Sequence, residues 1–175
     1  MNRAGNWFIV SAMRWWRLMP ILACVCLSLW SHHLRAASVV VPPSGRIVKV
    51  LPLLMDTNGA VATSPSLFDR DAYQAWLRQH TNRVSGVRFD VCWKARHARG
   101  MTLTVRVELR GIGARGLPTE VSLQKTVTPK IFHHWISLTL AGPAYKKLGT
   151  LAAWRATLWN GGEKIGEQKS FLWSL

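Results

Sequence analysis

The stretch from Val87 to Gly111, VRFDVCWKARHARGMTLTVRVELRG, constrains the fold more than any other because its character changes at every second residue. Val87, Phe89, Val91, Trp93 and Ala95 alternate with Arg88, Asp90, Cys92 and Lys94. Beyond a turn at 96–100, Leu103, Val105, Val107 and Leu109 alternate with Thr104, Arg106, Glu108 and Arg110. A period of two sends one set to a buried face and the other to water, as in an antiparallel sheet wetted on one side. The short loop predicts that these two strands form a central hairpin.

The flanking segments extend the same pattern. Residues 37–45 read as an extended leader, since Pro42 and Pro43 block both helix and ladder pairing. Arg46–Met55 reads as a strand, and Pro52 within it points to a sheet edge. Ser64–His80 is the one long helical segment. Ser64 or Ser66 can cap it, Asp69 and Asp71 sit at its positive end, and Arg78 and His80 at its negative end. Phe68, Ala72, Tyr73, Trp76 and Leu77 form an apolar stripe, expected to pack the helix over one end of a sheet; a partner-binding face is the other reading. Further on, Thr119–Thr128 turns Val121, Leu123 and Val127 inward, and His134–Leu140 turns Ile136, Leu138 and Leu140 inward. Gly142–Gly149 has the punctuation of a helical turn. Leu151–Asn160 and Ile165–Trp173 flank the hairpin signal Asn160-Gly161-Gly162, with a bulge expected at Gly166. The expected fold is therefore all-β: an immunoglobulin/fibronectin-like antiparallel β-sandwich of about seven strands, one helix inserted between the first two. A small barrel is the alternative.

The amino end predicts export. Arg3, Arg14 and Arg17 precede an apolar run, Leu18–Trp30, and small residues follow at Ala36 and Ala37. That is the plan of a secretory signal over 1–36, leaving a β-sandwich domain over 46–175 and a periplasmic or extracellular location. A membrane anchor at 15–34 is the rival, although the run is short beside the roughly 20 residues of a bilayer span. Ile21-Leu22-Ala23-Cys24 has the outline of a lipoprotein signal but would split the apolar run. The whole chain carries 23 basic and 8 acidic residues. Arg3, Arg14, Arg17 and Arg35 leave with the signal, so 23 − 4 = 19 basic residues face 8 acidic ones. Such an excess draws a protein to polyanions in general. The cations are spread along every strand without a dense run, which speaks against specific nucleic-acid recognition.

No recognisable chemistry is written in the chain. Cys24 and Cys26 belong to the signal, so Cys92 is left without a disulfide partner. A dyad of Cys92 with His97, His133 or His134 would make a small Cys-dependent hydrolase; a cysteine within a strand is more often a packing residue. The histidines have no metal-site spacing, and Asp90 and Glu108, taken to lie on neighbouring strands, are better explained by cross-strand ion pairs than as an acid–base pair. Gly111, Gly113 and Gly116 spell G-x-G-x-x-G, but Pro118 and a strand follow where a dinucleotide site requires a helix. Neither cofactor nor metal is expected. Trp76, Trp93 and Trp154 fall in phase with inward residues, whereas Trp135 and Trp159 do not, and Trp159 shares its face with Arg155. Exposed tryptophan stacks on sugar rings and is a frequent binding hot spot. Trp135, Arg155, Trp159 and Trp173 are therefore the candidate ligand-binding residues.

Several runs carry a resemblance. Trp154-Arg155-Ala156-Thr157-Leu158-Trp159-Asn160-Gly161 with Gly166–Trp173, together with Ser64-Pro65-Ser66-Leu67 and Arg88-Phe89-Asp90-Val91, resembles a group of short exported bacterial proteins with an immunoglobulin-like β-sandwich. The resemblance implies a shared fold and no activity. The sequence thus leads to a non-catalytic exported module with a binding or structural role at the cell envelope. Its expected partner is an envelope glycan, an anionic polymer or another envelope protein. The alternative is a dedicated carbohydrate- or polyanion-binding module using surface Trp and Arg.

Overall fold

The computed structural model describes residues 41–129 and 133–174, so the signal segment expected over 1–36 lies outside the described residues. The strands, in chain order, are β1 (Ser44–Asp56), β2 (Val84–Arg96), β3 (Leu103–Ile112), β4 (Pro118–Val127), β5 (His134–Ala141), β6 (Thr150–Asn160) and β7 (Glu163–Lys169). Helix α1 (Leu67–Gln79) joins β1 to β2, and the short α2 (Gly142–Leu148) joins β5 to β6. Ser44 and Gly45, assigned by sequence to the leader, belong to β1.

Two sheets form, ordered β1-β2-β5 and β4-β3-β6-β7, with every pairing antiparallel. They stay separate, so the chain is a sandwich of the immunoglobulin/fibronectin kind and not a barrel. β4 lies beside β3, whereas the fourth strand of a constant-type immunoglobulin domain joins the first sheet. The expected central hairpin does not exist: β2 and β3 belong to different sheets and face one another across the core. The alternation holds nevertheless. Val87, Phe89, Val91 and Trp93 of β2 and Leu103, Val105, Val107 and Leu109 of β3 are all fully buried in one cluster. Asp90 and Glu108 consequently lie on opposite outer faces of the sandwich.

Helix α1 begins where the sequence predicts, with the Ser66 hydroxyl accepting from the Asp69 amide. Its buried face differs from the predicted stripe. Leu77 is fully buried and Gln74 is 2% exposed, whereas Phe68 is 81% and Trp76 40% exposed. The reason is that α1 runs along the free edge of β1. There Gln74 Oε1 accepts from Leu54 N–H at 2.7 Å, and Gln74 Nε2 donates to Leu54 O and Val61 O at 2.8 Å each. An amide side chain thus stands in for a neighbouring strand and satisfies an edge that would otherwise be open to pairing. The Tyr73 hydroxyl adds a second tie, donating to Asp56 Oδ2 at 2.7 Å.

Nearer the start of β1, the same edge closes against β7. A side chain at Gly166 would press on the Arg46 backbone at 3.0 Å, so glycine permits the approach. The bulge anticipated at Gly166 falls at its neighbour Ile165, between the pairs Leu158–Gly166 and Trp159–Lys164. β7 ends at Lys169, short of the expected Trp173, because Ser170 closes the ladder. Its N–H donates to Trp154 O, and its hydroxyl accepts from Trp154 N–H. Phe171–Ser174 then turns as a short 3-10 helix. The glycine-rich loop also has a packing reason: a side chain at Gly111 would collide with Leu148 O of α2.

Two measurements check these ties. Gln74→Leu leaves Leu54 and Val61 without partners and should cost about 1–3 kcal/mol in urea denaturation, while Gln79→Leu on the exposed side should stay within about 0.5 kcal/mol. Equal effects would contradict the edge role. The Tyr73 hydroxyl, helped by backbone N–H groups and opposed by burial, holds the Asp56 carboxyl below its ordinary value; Asp56 in turn raises the Tyr73 phenol. The carboxyl's contribution is therefore present above the ordinary carboxylate range and lost as pH falls through its depressed value. The phenol's is present below its ordinary value and lost as pH rises through the raised one. Tyr73→Phe should reduce the alkaline loss and shrink the acid loss in urea midpoints measured across pH. The part of the alkaline loss due to the Tyr145 phenol and the Cys92 thiol, both raised by burial, should remain.

Candidate functional site

The four candidate residues separate onto two faces. Arg155, Trp159 and Trp173 share the outer face of the larger sheet, where antiparallel register sets Glu108 opposite Arg155, Arg106 opposite Thr157 and Arg110 opposite Glu120. Arg155 Nε donates to Glu108 Oε2 at 2.7 Å, and Arg110 Nε donates to Glu120 Oε1 at 3.0 Å. The Arg110 and Arg155 guanidinium carbons lie 4.1 and 4.8 Å from the Trp173 ring centre, and that of Arg106 lies 5.1 Å from the Trp159 ring centre. Trp159 Nε1 donates to Thr157 Oγ1 at 2.8 Å. Glu108 raises the Arg155 guanidinium pKa, against the effect of burial. Each of these cations and indoles already has an internal partner, and the depression of about 260 Å³ beside them is lined by Glu108 and Glu120 as well as by arginine. This face fastens the carboxyl-terminal turn to the sheet.

Trp135 sits elsewhere, on the outer face of the smaller sheet, and is 56% exposed. Register places it beside Cys92 of β2, with Lys49 of β1 on the far side. One step along, Arg46 lies directly opposite Lys94, and Ser44 opposite Arg96. The pairing of β1 with β2 shifts between Ile47 and Lys49. This bulge at Val48 lets Arg46 and Lys49, three residues apart, both face outward while Ile47 and Val50 remain in the core. Arg46, Lys49, Lys94 and Arg96 enter none of the ion pairs among the described residues. The nearest carboxylate along this face, Asp90, is engaged by Arg88 Nη2 at 2.8 Å and by the Ser137 hydroxyl at 2.6 Å. A depression of about 260 Å³ opens between Ser44, Gly45, Arg46, Lys94 and Arg96. Like charges directly opposite one another weaken a sheet, so this arrangement is a local cost to the fold that an anionic ligand would relieve. Trp135, paired with Cys92 two residues before Lys94, adds an aromatic surface to the same sheet face.

Phase within the strand identified Trp135 from sequence. The four cations are not legible in the same way, because their convergence depends on the β1–β2 register and on the bulge; of them only Lys94 falls on the polar phase read from sequence, and Arg96, expected to open the turn, ends β2 instead. Cys92, also on that phase, is 5% exposed. Burial pushes its thiol up, with Lys49 acting weakly against this, which is the reverse of what a thiolate nucleophile needs. His97 lies in the loop beyond β2 and His133 before β5, both exposed. The His134 ring lies 5.1 Å from that of Trp93, on the inward phase of β5 and away from the side to which Cys92 points. Among the described residues no cluster of three metal-ligating side chains occurs.

No family model matches the chain, and neither does any curated protein. A crystal structure from Akkermansia muciniphila is similar with a TM-score of 0.47 and 9% identity, covering 74% of this chain and 70% of that one. That neighbour is bacterial and alike in fold.

The two faces should respond differently to truncation. Trp173→Ala removes two cation–ring contacts and should lower stability by about 1–2 kcal/mol in urea denaturation; Trp135→Ala should stay within about 0.5 kcal/mol. The reverse order would mean that Trp173 is the free aromatic and Trp135 the structural one.

Proposed function

We propose that this chain is an exported, non-catalytic β-sandwich that binds an anionic polymer of the cell envelope on the outer face of its smaller sheet. The observation that carries this reading is Arg46 directly opposite Lys94, flanked by Lys49 and Arg96, with no carboxylate among the described residues paired to any of them. The Coulomb attraction such a face exerts is long-ranged and screened by salt. The exposed Trp135 favours a polymer built of sugar rings, which stack on indole, and acid groups on that polymer meet the cations. The excess of basic over acidic residues beyond position 36 supports the same reading at the level of the whole chain. The raised thiol of Cys92 favours a packing role over a hydrolytic one.

Tryptophan fluorescence titrated with polygalacturonate, polyphosphate and neutral dextran tests the proposal. Both polyanions should bind and dextran should not, with affinity falling as salt is raised. Lys94→Glu should weaken both polyanions at least about tenfold, and Trp135→Ala should weaken polygalacturonate more than polyphosphate. Unaltered binding by Lys94→Glu, or no binding of either polyanion by the wild type, would overturn the reading.

A further inference from the structure

Among the described residues, most of the exposed large hydrophobic side chains belong to segments at one end of the sandwich. The β1–β2, β3–β4 and β5–β6 connections and the carboxyl-terminal turn all lie there, because the strands alternate in direction. Helix α1 presents Leu67, Phe68 and Trp76, the β3–β4 loop presents Ile112 and Leu117, and the terminal turn presents Phe171 and Leu172, all among the exposed large hydrophobics. Elsewhere only Val41, Met101 and Trp135 join that class among the described residues. Positions 68, 72, 75, 76 and 79 form a single face of α1, carrying Phe, Ala, Ala, Trp and Gln; it is opposite Leu77 and turned away from β1.

Cations lie in the connections at the same end. Arg78, Arg83, Arg115, Lys146 and Lys147 are exposed and enter none of the ion pairs among the described residues. The acids of the same end are already occupied. Asp56 accepts from Tyr73 and from backbone N–H groups, Asp69 from Ser64, and Asp71 from Arg70. The smaller sheet's face combines its cations with the exposed Trp135 alone, and the opposite end exposes Val41 and Met101, among the described residues.

We infer that this end is a docking surface for an anionic lipid bilayer. Exposed aromatic and aliphatic side chains of an amphipathic helix settle at the boundary between headgroups and acyl chains, and tryptophan favours that depth. Basic residues beside them are attracted to acidic headgroups. A soluble polyanion would use the cations and leave the apolar side chains unsatisfied, so the combination selects a bilayer over a dissolved polymer. The surface is distinct from the cationic sheet face, and together they would let one domain hold an anionic polymer close to a membrane.

Co-sedimentation of the full chain with vesicles of phosphatidylglycerol and phosphatidylethanolamine, and with vesicles of phosphatidylcholine alone, tests the inference. The wild type should favour the anionic vesicles. Arg115→Glu/Lys146→Glu/Lys147→Glu should lower that partitioning at least about tenfold, and Phe68→Ser/Leu117→Ser should lower it while leaving polygalacturonate binding unchanged. Arg46→Glu/Lys94→Glu should do the opposite, losing the polymer and keeping the vesicles. On vesicles, amides of 67–76 and 112–117 should gain protection from hydrogen exchange. Persistence of vesicle binding in both end variants, without such protection, would place the attachment in the shared amino-terminal run and overturn the inference. Equal loss of vesicle binding in the sheet-face variant would reduce it to general charge, again overturning it. Failure of polymer binding with vesicle binding intact would sink only the proposed sheet-face function.

Discussion

Strand β2 has a separate task on each of its faces, and the rest of the domain depends on its pleat being held. Inward, Phe89, Val91 and Trp93 meet the equally buried Val105, Val107 and Leu109 of β3 from the other sheet. Burying one such side chain contributes about 1.5–3 kcal/mol, and a slip of one residue would exchange the two faces completely. Outward, the same strand sets Cys92, Lys94 and Arg96 against β1 and β5. The hydrophobic contact across the core therefore also fixes where the surface charges point.

This coupling explains how far the sequence could be read. Alternation in β2 and β3 identifies the buried set because period two is intrinsic to an extended chain. It does not say whether a strand's inward face meets a hydrogen-bonded neighbour or a strand across the core; a six-residue link from β2 to β3 is compatible with both. Helix α1 shows the same division. Its existence and cap were legible from Ser66 and the acidic first turn, but its inward face was not, since the free edge of β1 offers peptide groups and Gln74 is better suited to them than Phe68 or Trp76. At the candidate site, Trp135 was legible by phase. Arg46 and Lys49 were not, because their spacing shares a face only through the bulge at Val48.

The two sheet faces contrast in how they treat charge. On the larger sheet, Arg155 with Glu108 and Arg110 with Glu120 are matched across strands, and the guanidinium groups also lie against Trp173. On the smaller sheet, Arg46 and Lys94 are set against one another. A sandwich that satisfies its charges on one outer face and opposes them on the other distinguishes a face that holds the fold together from a face that waits for something outside it.

If the cationic face is maintained for a ligand at the expense of the free domain, relieving the repulsion should stabilise the protein. Urea denaturation of Lys94→Glu, which places a carboxylate opposite Arg46, is the most direct measurement. At low salt the variant should be more stable than the wild type by about 0.5–1 kcal/mol, and added salt should reduce the gain. A variant less stable than the wild type at low salt would contradict the account.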